Sequence, residues 1–143
     1  MTDGKQKVLV LGASGMLGNA VLRFFAQSAG FEASGSARSA STLAQLPAEL
    51  RERVVTGVDV ENVDSLARLF AQVRPDVVIN CIGLVKQLVE ADDPLLAIPI
   101  NALLPHRLAR LCQVAGARFV HVSTDCVFTG AKGMYREEDP ADA

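Results

Sequence analysis

The sequence predicts an α/β fold, a doubly wound parallel sheet of about five strands lying between two layers of helix. Three observations predict it. Short aliphatic runs recur along the chain with amphipathic stretches between them, the pattern of successive strand–helix–strand units. Those runs are apolar throughout rather than alternating, as strands covered on both faces are. The first run, Val8-Leu9-Val10-Leu11, leads directly into the glycine string Gly12-Ala13-Ser14-Gly15-Met16-Leu17-Gly18 and then into an amphipathic segment.

In chain order, residues 8–11 form the first strand and 19–29 the helix that follows the glycine turn, with Gly30 as that helix's C-terminal glycine. Residues 31–36 form a weaker second strand, whose alanine, serine and glycine content predicts crowding by a neighbour. A short helix over 42–53 is broken by Pro47, and 54–58 is the third strand. Asn62 then caps a helix running to Val73, with Val63, Leu66, Leu69, Phe70 and Val73 on one face and Pro75 beyond its end. Residues 77–79 are the fourth strand. A polar loop reaches Asp92-Asp93-Pro94, an aspartate cap before a proline at the first helical position. The helix that follows extends to Val114 and Gly116, and Pro99 and Pro105 each remove a backbone donor, so it must kink or split. Residues 119–122 are the fifth strand. Beyond them, Gly130, Gly133 and Asp139-Pro140 mark a surface loop without further strand or helix.

Half of the 143 residues are hydrophobic, enough for one domain, taken as 1–143. A net charge of -2 with interspersed signs offers no basic stripe to a nucleic acid. There is no leader-like N-terminus and no apolar run approaching the length of a membrane span, so the expectation is a cytoplasmic protein without a membrane partner. Cys81, Cys112 and Cys126 are odd in number and widely spaced, which reads as reduced core thiols rather than metal ligands.

A helix opening on a glycine turn offers unpaired N–H groups and the positive end of its dipole to an anion; the alternative is a glycine-rich corner with no ligand. In such a sheet the ligand crevice lies at the carboxyl ends of strands one and four. Glu32 has the spacing of a ribose-binding carboxylate, but it begins strand two rather than ending it. The end of that strand carries Ser36-Ala37-Arg38-Ser39, with no carboxylate to repel a 2′-phosphate and a guanidinium able to bind one bidentately. That favours NADP(H) over NAD(H), unless Arg38 is simply a solvated loop charge. Asp59 suits the adenine amino group or an ordinary turn, and Lys86 suits a phosphate or plain solvent. His121 reads as a strand residue packed against a helix rather than a base, and His106 as a helix-surface residue.

Together, Gly12 to Gly18, Asp59-Val60, Asn80-Cys81-Ile82-Gly83, Asn101 and Ser123-Thr124-Asp125-Cys126-Val127-Phe128 resemble an extended short-chain dehydrogenase/reductase. The Ser-Thr-Asp-x-Val-Phe string followed by Gly130, Tyr135 and Asp139-Pro140 is similar to the dTDP-4-dehydrorhamnose reductase branch, which acts on nucleotide-activated deoxysugars in polysaccharide biosynthesis. The resemblance implies a Rossmann-type three-layer αβα fold and an NADP(H)-dependent reductase of a 4-keto sugar nucleotide, with a homodimer possible. It implies that Cys81, Ile82 and Gly83 line the nicotinamide ribose and that Thr124 is the catalytic hydroxyl on the substrate carbonyl. The cofactor-binding set is then Gly12, Ser14, Gly15, Met16, Leu17, Gly18, Ser36, Arg38, Ser39, Asp59, Val60, Cys81, Ile82, Gly83, Lys86 and Ser123.

One departure stands against that set. The family's proton donor and its partner form Tyr-x-x-x-Lys, about two dozen residues past the catalytic hydroxyl, and here that position falls beyond Ala143. Tyr135 comes too early and has Asp139 where a lysine is needed to lower the phenol pKa. The expectation is therefore a cofactor-binding portion, incomplete at its C-terminal end and inactive alone, with strand five at the edge of the sheet. Two alternatives stand beside it: an NAD-dependent sugar-nucleotide epimerase or dehydratase, and a non-catalytic NAD(P)-sensing module.

Overall fold

The computed structural model describes residues 4–85 and 92–143. Its strands are β1 (Gln6–Leu11), β2 (Phe31–Ser36), β3 (Val54–Val55), β4 (Val77–Asn80) and β5 (Arg118–His121). They form one sheet in the order β3-β2-β1-β4-β5, every neighbouring pair parallel. The helices are α1 (Met16–Gln27), α2 (Ala48–Arg51), α3 (Val63–Val73), α4 (Pro94–Ala97) and α5 (Leu104–Ala115). Among the described residues, none is long and apolar enough to cross a membrane.

The alternation along β1 shows why both faces are covered. Val8 and Val10 join Leu22 of α1 and Leu50 of α2 in one buried cluster, while Leu9 and Leu11 join Leu66 of α3 and Leu108 of α5 in the other. Each such side chain, once buried, contributes about 1.5–3 kcal/mol. β2 is crowded as its small residues predict: a Cβ on Gly35 would lie 2.6 Å from the Ala13 Cβ and 3.0 Å from Leu22.

Local differences from the sequence reading have local causes. β3 pairs over two residues rather than five, because Gly57 (φ +75°) turns the chain away from the extended path. α1 starts at the turn itself and ends at Gln27, capped by Ser28, so Gly30 (φ +89°) serves the turn into β2. Pro47 separates a 3₁₀ helix (Ala40–Gln45) from α2. The prolines of the later helix divide it into α4, a π-helical stretch (Ile98–Leu103) and α5. Asn62 caps α3 by accepting from the Ser65 N–H (2.9 Å), but Val63 is exposed rather than on the buried face. β5 begins and ends one residue early, at the sheet edge, with Val120 and Val122 exposed. Cys112 is buried and Cys81 partly so, whereas Cys126 is exposed and is not a core thiol.

After β5 the chain makes a 3₁₀ turn (Asp125–Val127) and a loop closed on itself. The Asp142 carboxylate accepts from the Thr129 N–H (2.8 Å), the Thr129 hydroxyl (3.1 Å) and the Tyr135 hydroxyl (2.9 Å). The Tyr135 ring stacks on Phe128 with centroids 4.4 Å apart, and Lys132 pairs with Asp139.

Candidate functional site

The sheet brings its chemistry to one edge. Leu11 is in register with Ser36 of β2 and with Asn80 of β4, and Asn80 with His121 of β5, so the segments leaving these strands start side by side. The chain moves from β1 outward through β2 and β3, then returns to β4 on the other side of β1. The loops after β1 and β4 thus leave the sheet where its strand order reverses, the place at which such sheets hold their ligand crevice. Glu32 pairs with Lys7, four residues short of Ser36, hence about 13 Å from that edge and away from the crevice.

The glycine turn has three glycines with three different reasons. Gly12 takes φ +79°, and a Cβ there would meet the Ile82 Cγ1 at 2.8 Å. Gly18 lets α1 lie on the turn, since its Cβ would stand 2.1 Å from the Gly12 carbonyl oxygen. Gly15 has no such constraint: its backbone is extended (φ -75°, ψ 163°) and its Cβ would meet only the Gly12 oxygen, at 3.4 Å. The fold alone does not require a glycine there. Gly15 is also the N-cap of α1, which has neither a side-chain cap nor an acidic residue in its first turn, leaving that turn's N–H groups open to an anion. The Ala13 N–H donates to the Ser36 carbonyl (2.9 Å), tying the turn to the end of β2.

A cleft of about 640 Å³ runs along this edge, lined by Gly12 and Ser14 of the turn, Ser36, Ala37 and Arg38 after β2, Val58 to Glu61 after β3, Ile82, Gly83 and Leu84 after β4, and Leu96 and Ile100. Of the predicted residues it joins Gly12, Ser14, Ser36, Arg38, Asp59, Val60, Ile82 and Gly83. Asp59 holds its own loop, accepting from the Glu61 N–H (3.0 Å) while its N–H donates to the Ser65 hydroxyl (3.1 Å). Asn101 clamps the β4 loop, its Oδ1 accepting from the Leu84 N–H (2.8 Å) and its Nδ2 donating to the Leu84 carbonyl (2.9 Å).

Other predicted residues lie outside the cleft wall. Gly18 is buried beneath the start of α1, while Gly15, Met16 and Leu17 are exposed on the turn and the first turn of α1. Ser39 caps the 3₁₀ helix, accepting from the Ser41 N–H (3.2 Å). Cys81 packs partly buried against the α1-side core, where burial raises its thiol pKa. Ser123 is exposed after β5; Thr124 is exposed too and accepts from the Cys126 N–H (3.1 Å). Lys86 lies outside the described residues. His121 is not packed under a helix: it is exposed, and its Nδ1 lies 3.1 Å from the Asn80 Nδ2. Sequence reasoning missed Ala37, Val58, Glu61, Leu84, Leu96 and Ile100 as site residues. For Leu96 and Ile100 a signal was present, two large apolar residues four apart just after the Asp93-Pro94 cap.

A parallel sheet wound on both faces, with a glycine turn and a crevice where the strand order reverses, defines a Rossmann-type α/β domain. Residues 6–142 match the model of the RmlD substrate binding domain, and the chain belongs to that family. It is 32% identical to a dTDP-4-dehydrorhamnose reductase of Streptomyces griseus over 133 residues, 92% of this chain and 38% of that protein. Among solved structures, a dTDP-4-dehydrorhamnose reductase of Clostridium acetobutylicum superposes with a TM-score of 0.74 at 28% identity, covering 96% of this chain and 43% of that one. One from Bacillus anthracis, in complex with NADP, shares the fold at 23% identity and a TM-score of 0.69, covering 92% and 40%. The chain thus spans about two-fifths of the length of these proteins.

Proposed function

We propose that this chain is the cofactor-binding portion of an NADP(H)-dependent reductase of nucleotide-activated 4-keto deoxysugars, similar in activity to the relatives named above. One observation carries the reading: Gly15 is a glycine for which the fold has no use, placed where the open N–H groups of α1 begin. A pyrophosphate seated there accounts for it, since any side chain would take the ligand's place.

The remaining parts fit the same dinucleotide. Arg38, exposed just beyond β2, suits a 2′-phosphate; Asp59 and Val60 suit the adenine, with Leu96 and Ile100 adding apolar wall to the same cleft. Ile82 and Gly83 suit the nicotinamide-side ribose, and Thr124, three residues past the end of β5, suits the substrate carbonyl. When bound, the reduced nicotinamide supplies the electrons for reducing that carbonyl. This chain's own contribution is to seat the cofactor and orient the carbonyl.

Titration of NADPH and NADH against wild type and Arg38→Ala tests the reading. Arg38→Ala should weaken NADPH by on the order of 1–3 kcal/mol, the scale of a charge-assisted contact, and leave NADH nearly unchanged. Equal losses for both cofactors would remove Arg38 from the 2′-phosphate, and no binding of either by wild type would refute the nucleotide site.

A further inference from the structure

Asn80 is an unusual residue to find at the end of a buried strand: its side chain is 0% exposed, yet it carries a donor and an acceptor. Both are engaged. Its Oδ1 accepts from the Ile82 N–H at 3.1 Å, and its Nδ2 lies 3.1 Å from His121 Nδ1. The first contact fixes the orientation of the amide, because an N–H can donate only to the oxygen. The nitrogen must then face His121, and an amide nitrogen can only donate. His121 Nδ1 is therefore the acceptor, which requires a ring protonated at Nε2 and not at Nδ1.

The consequence reaches the glycine turn. Ile82 lines the cleft, and its Cγ1 occupies the space that a Cβ on Gly12 would need. A line of contacts thus runs from the edge strand β5, through the amide of Asn80, to the residue that abuts the turn. We infer that His121 and Asn80 are positioning residues: the imidazole locks the Asn80 amide, and the amide fixes Ile82 against Gly12. Without an acceptor on residue 121, a buried donor is left unpaired and the Asn80 side chain has no reason to keep its oxygen on Ile82. Leu84, two residues further on, is held separately by Asn101 and does not depend on this line.

Amide hydrogen exchange and ¹⁵N NMR on the cofactor-free chain test the inference without reference to what binds. In His121→Leu the Ile82 amide should exchange faster and shift, while the Leu84 amide stays as it is. His121→Gln, whose side-chain oxygen can accept from Asn80, should restore Ile82. Imidazole nitrogen shifts of the unaltered protein should report the Nε2–H tautomer, a readout that survives even if a variant fails to fold. A Nδ1–H tautomer, an Ile82 amide indifferent to His121→Leu, or a glutamine variant no better than leucine would each overturn the pairing. A second readout rests on the proposed nucleotide site: NADPH affinity should fall about three- to tenfold in His121→Leu, the scale of one hydrogen bond, and recover in His121→Gln. If the unaltered chain binds no NADPH, it is the nucleotide reading that fails, and the Ile82 amide still decides this one.

Discussion

Two of the three turn glycines can be set against each other in one experiment. Gly18→Ala places a methyl 2.1 Å from the Gly12 carbonyl oxygen and 2.7 Å from its carbon, against backbone that has no rotamer to change. To restore an ordinary C···O separation, α1 must withdraw by about 1 Å. Overpacking of this kind costs about 1–3 kcal/mol, offset in part by the roughly 1 kcal/mol that alanine gains over glycine within a helix, for a net loss near 2 kcal/mol at the upper end. For a chain of this size that is a fall in Tm of roughly 4–8 °C. Gly15→Val meets only one atom, at 3.4 Å, in an extended backbone that suits a branched residue. As a change of N-cap it should cost under about 1 kcal/mol. Its effect should fall on the ligand instead: with two charge-assisted contacts to a pyrophosphate lost, about 3 kcal/mol, NADPH binding should weaken roughly a hundredfold. Differential scanning calorimetry and cofactor titration read the two quantities separately. Unchanged NADPH affinity in Gly15→Val would mean that the turn does not face the ligand, and a Gly15→Val protein less stable than Gly18→Ala would refute the steric reasoning.

Two further outcomes follow from the titrating groups. Asp142 is held below the ordinary carboxylate range first by the Thr129 N–H and then by the Tyr135 and Thr129 hydroxyls, and Asp139 first by Lys132 and then by the Arg136 N–H. A carboxylate depressed in the folded state contributes fully above its unfolded pKa and is lost as pH falls through the folded one, so the loop should open below about pH 4. Tyr135 is the sole tyrosine and there is no tryptophan, so near-ultraviolet circular dichroism follows that loop; a tyrosine signal that stays constant as the pH falls from about 6 through the whole carboxylate range, to about 1, would contradict the assignment. Among the thiols, exposed Cys126 should alkylate first, while Cys112, pushed up to about 11 by burial, should react only on unfolding. Peptide mass mapping after brief iodoacetamide treatment distinguishes them, and labelling of Cys112 at the rate of Cys126 would show that it is not in the core.

What the sequence made legible is what local chemistry decides. The apolar runs of β1 and β4, the Asn62 and Asp93 caps and the glycine string each carry their instruction within a few residues, and the structure follows them. The cleft wall is less legible because it forms where distant segments meet. Leu96 and Ile100 look like any apolar pair on a helix until α4 and the π-helical stretch bring them into the same cleft wall as Val58 and Val60. The π-helical stretch itself comes from two prolines with no stated register, and only the fold shows that it delivers Asn101 to the Leu84 backbone. Cys126 reads as a core thiol only from the number and spacing of the cysteines, which say nothing of burial; His121 is misplaced for a different reason. Apolar neighbours in the sequence imply cover, and at the edge strand that cover is not among the described residues.

The place of β1 between β2 and β4 has a consequence for how the molecule assembles. β1 meets β2 after a single short crossover, but it meets β4 only when Lys7 finds Asp76, 69 positions along the chain, where the Lys7 N–H donates to the carboxylate at 2.7 Å. Closing so long a loop costs entropy before any contact repays it, so this joint is expected to form late and slowly. The crevice lies over that joint, and the glycine turn and Ile82 both line it. If a nucleotide binds there as proposed, it should hold the late joint shut and lengthen the lifetime of the native state more than it hastens its formation.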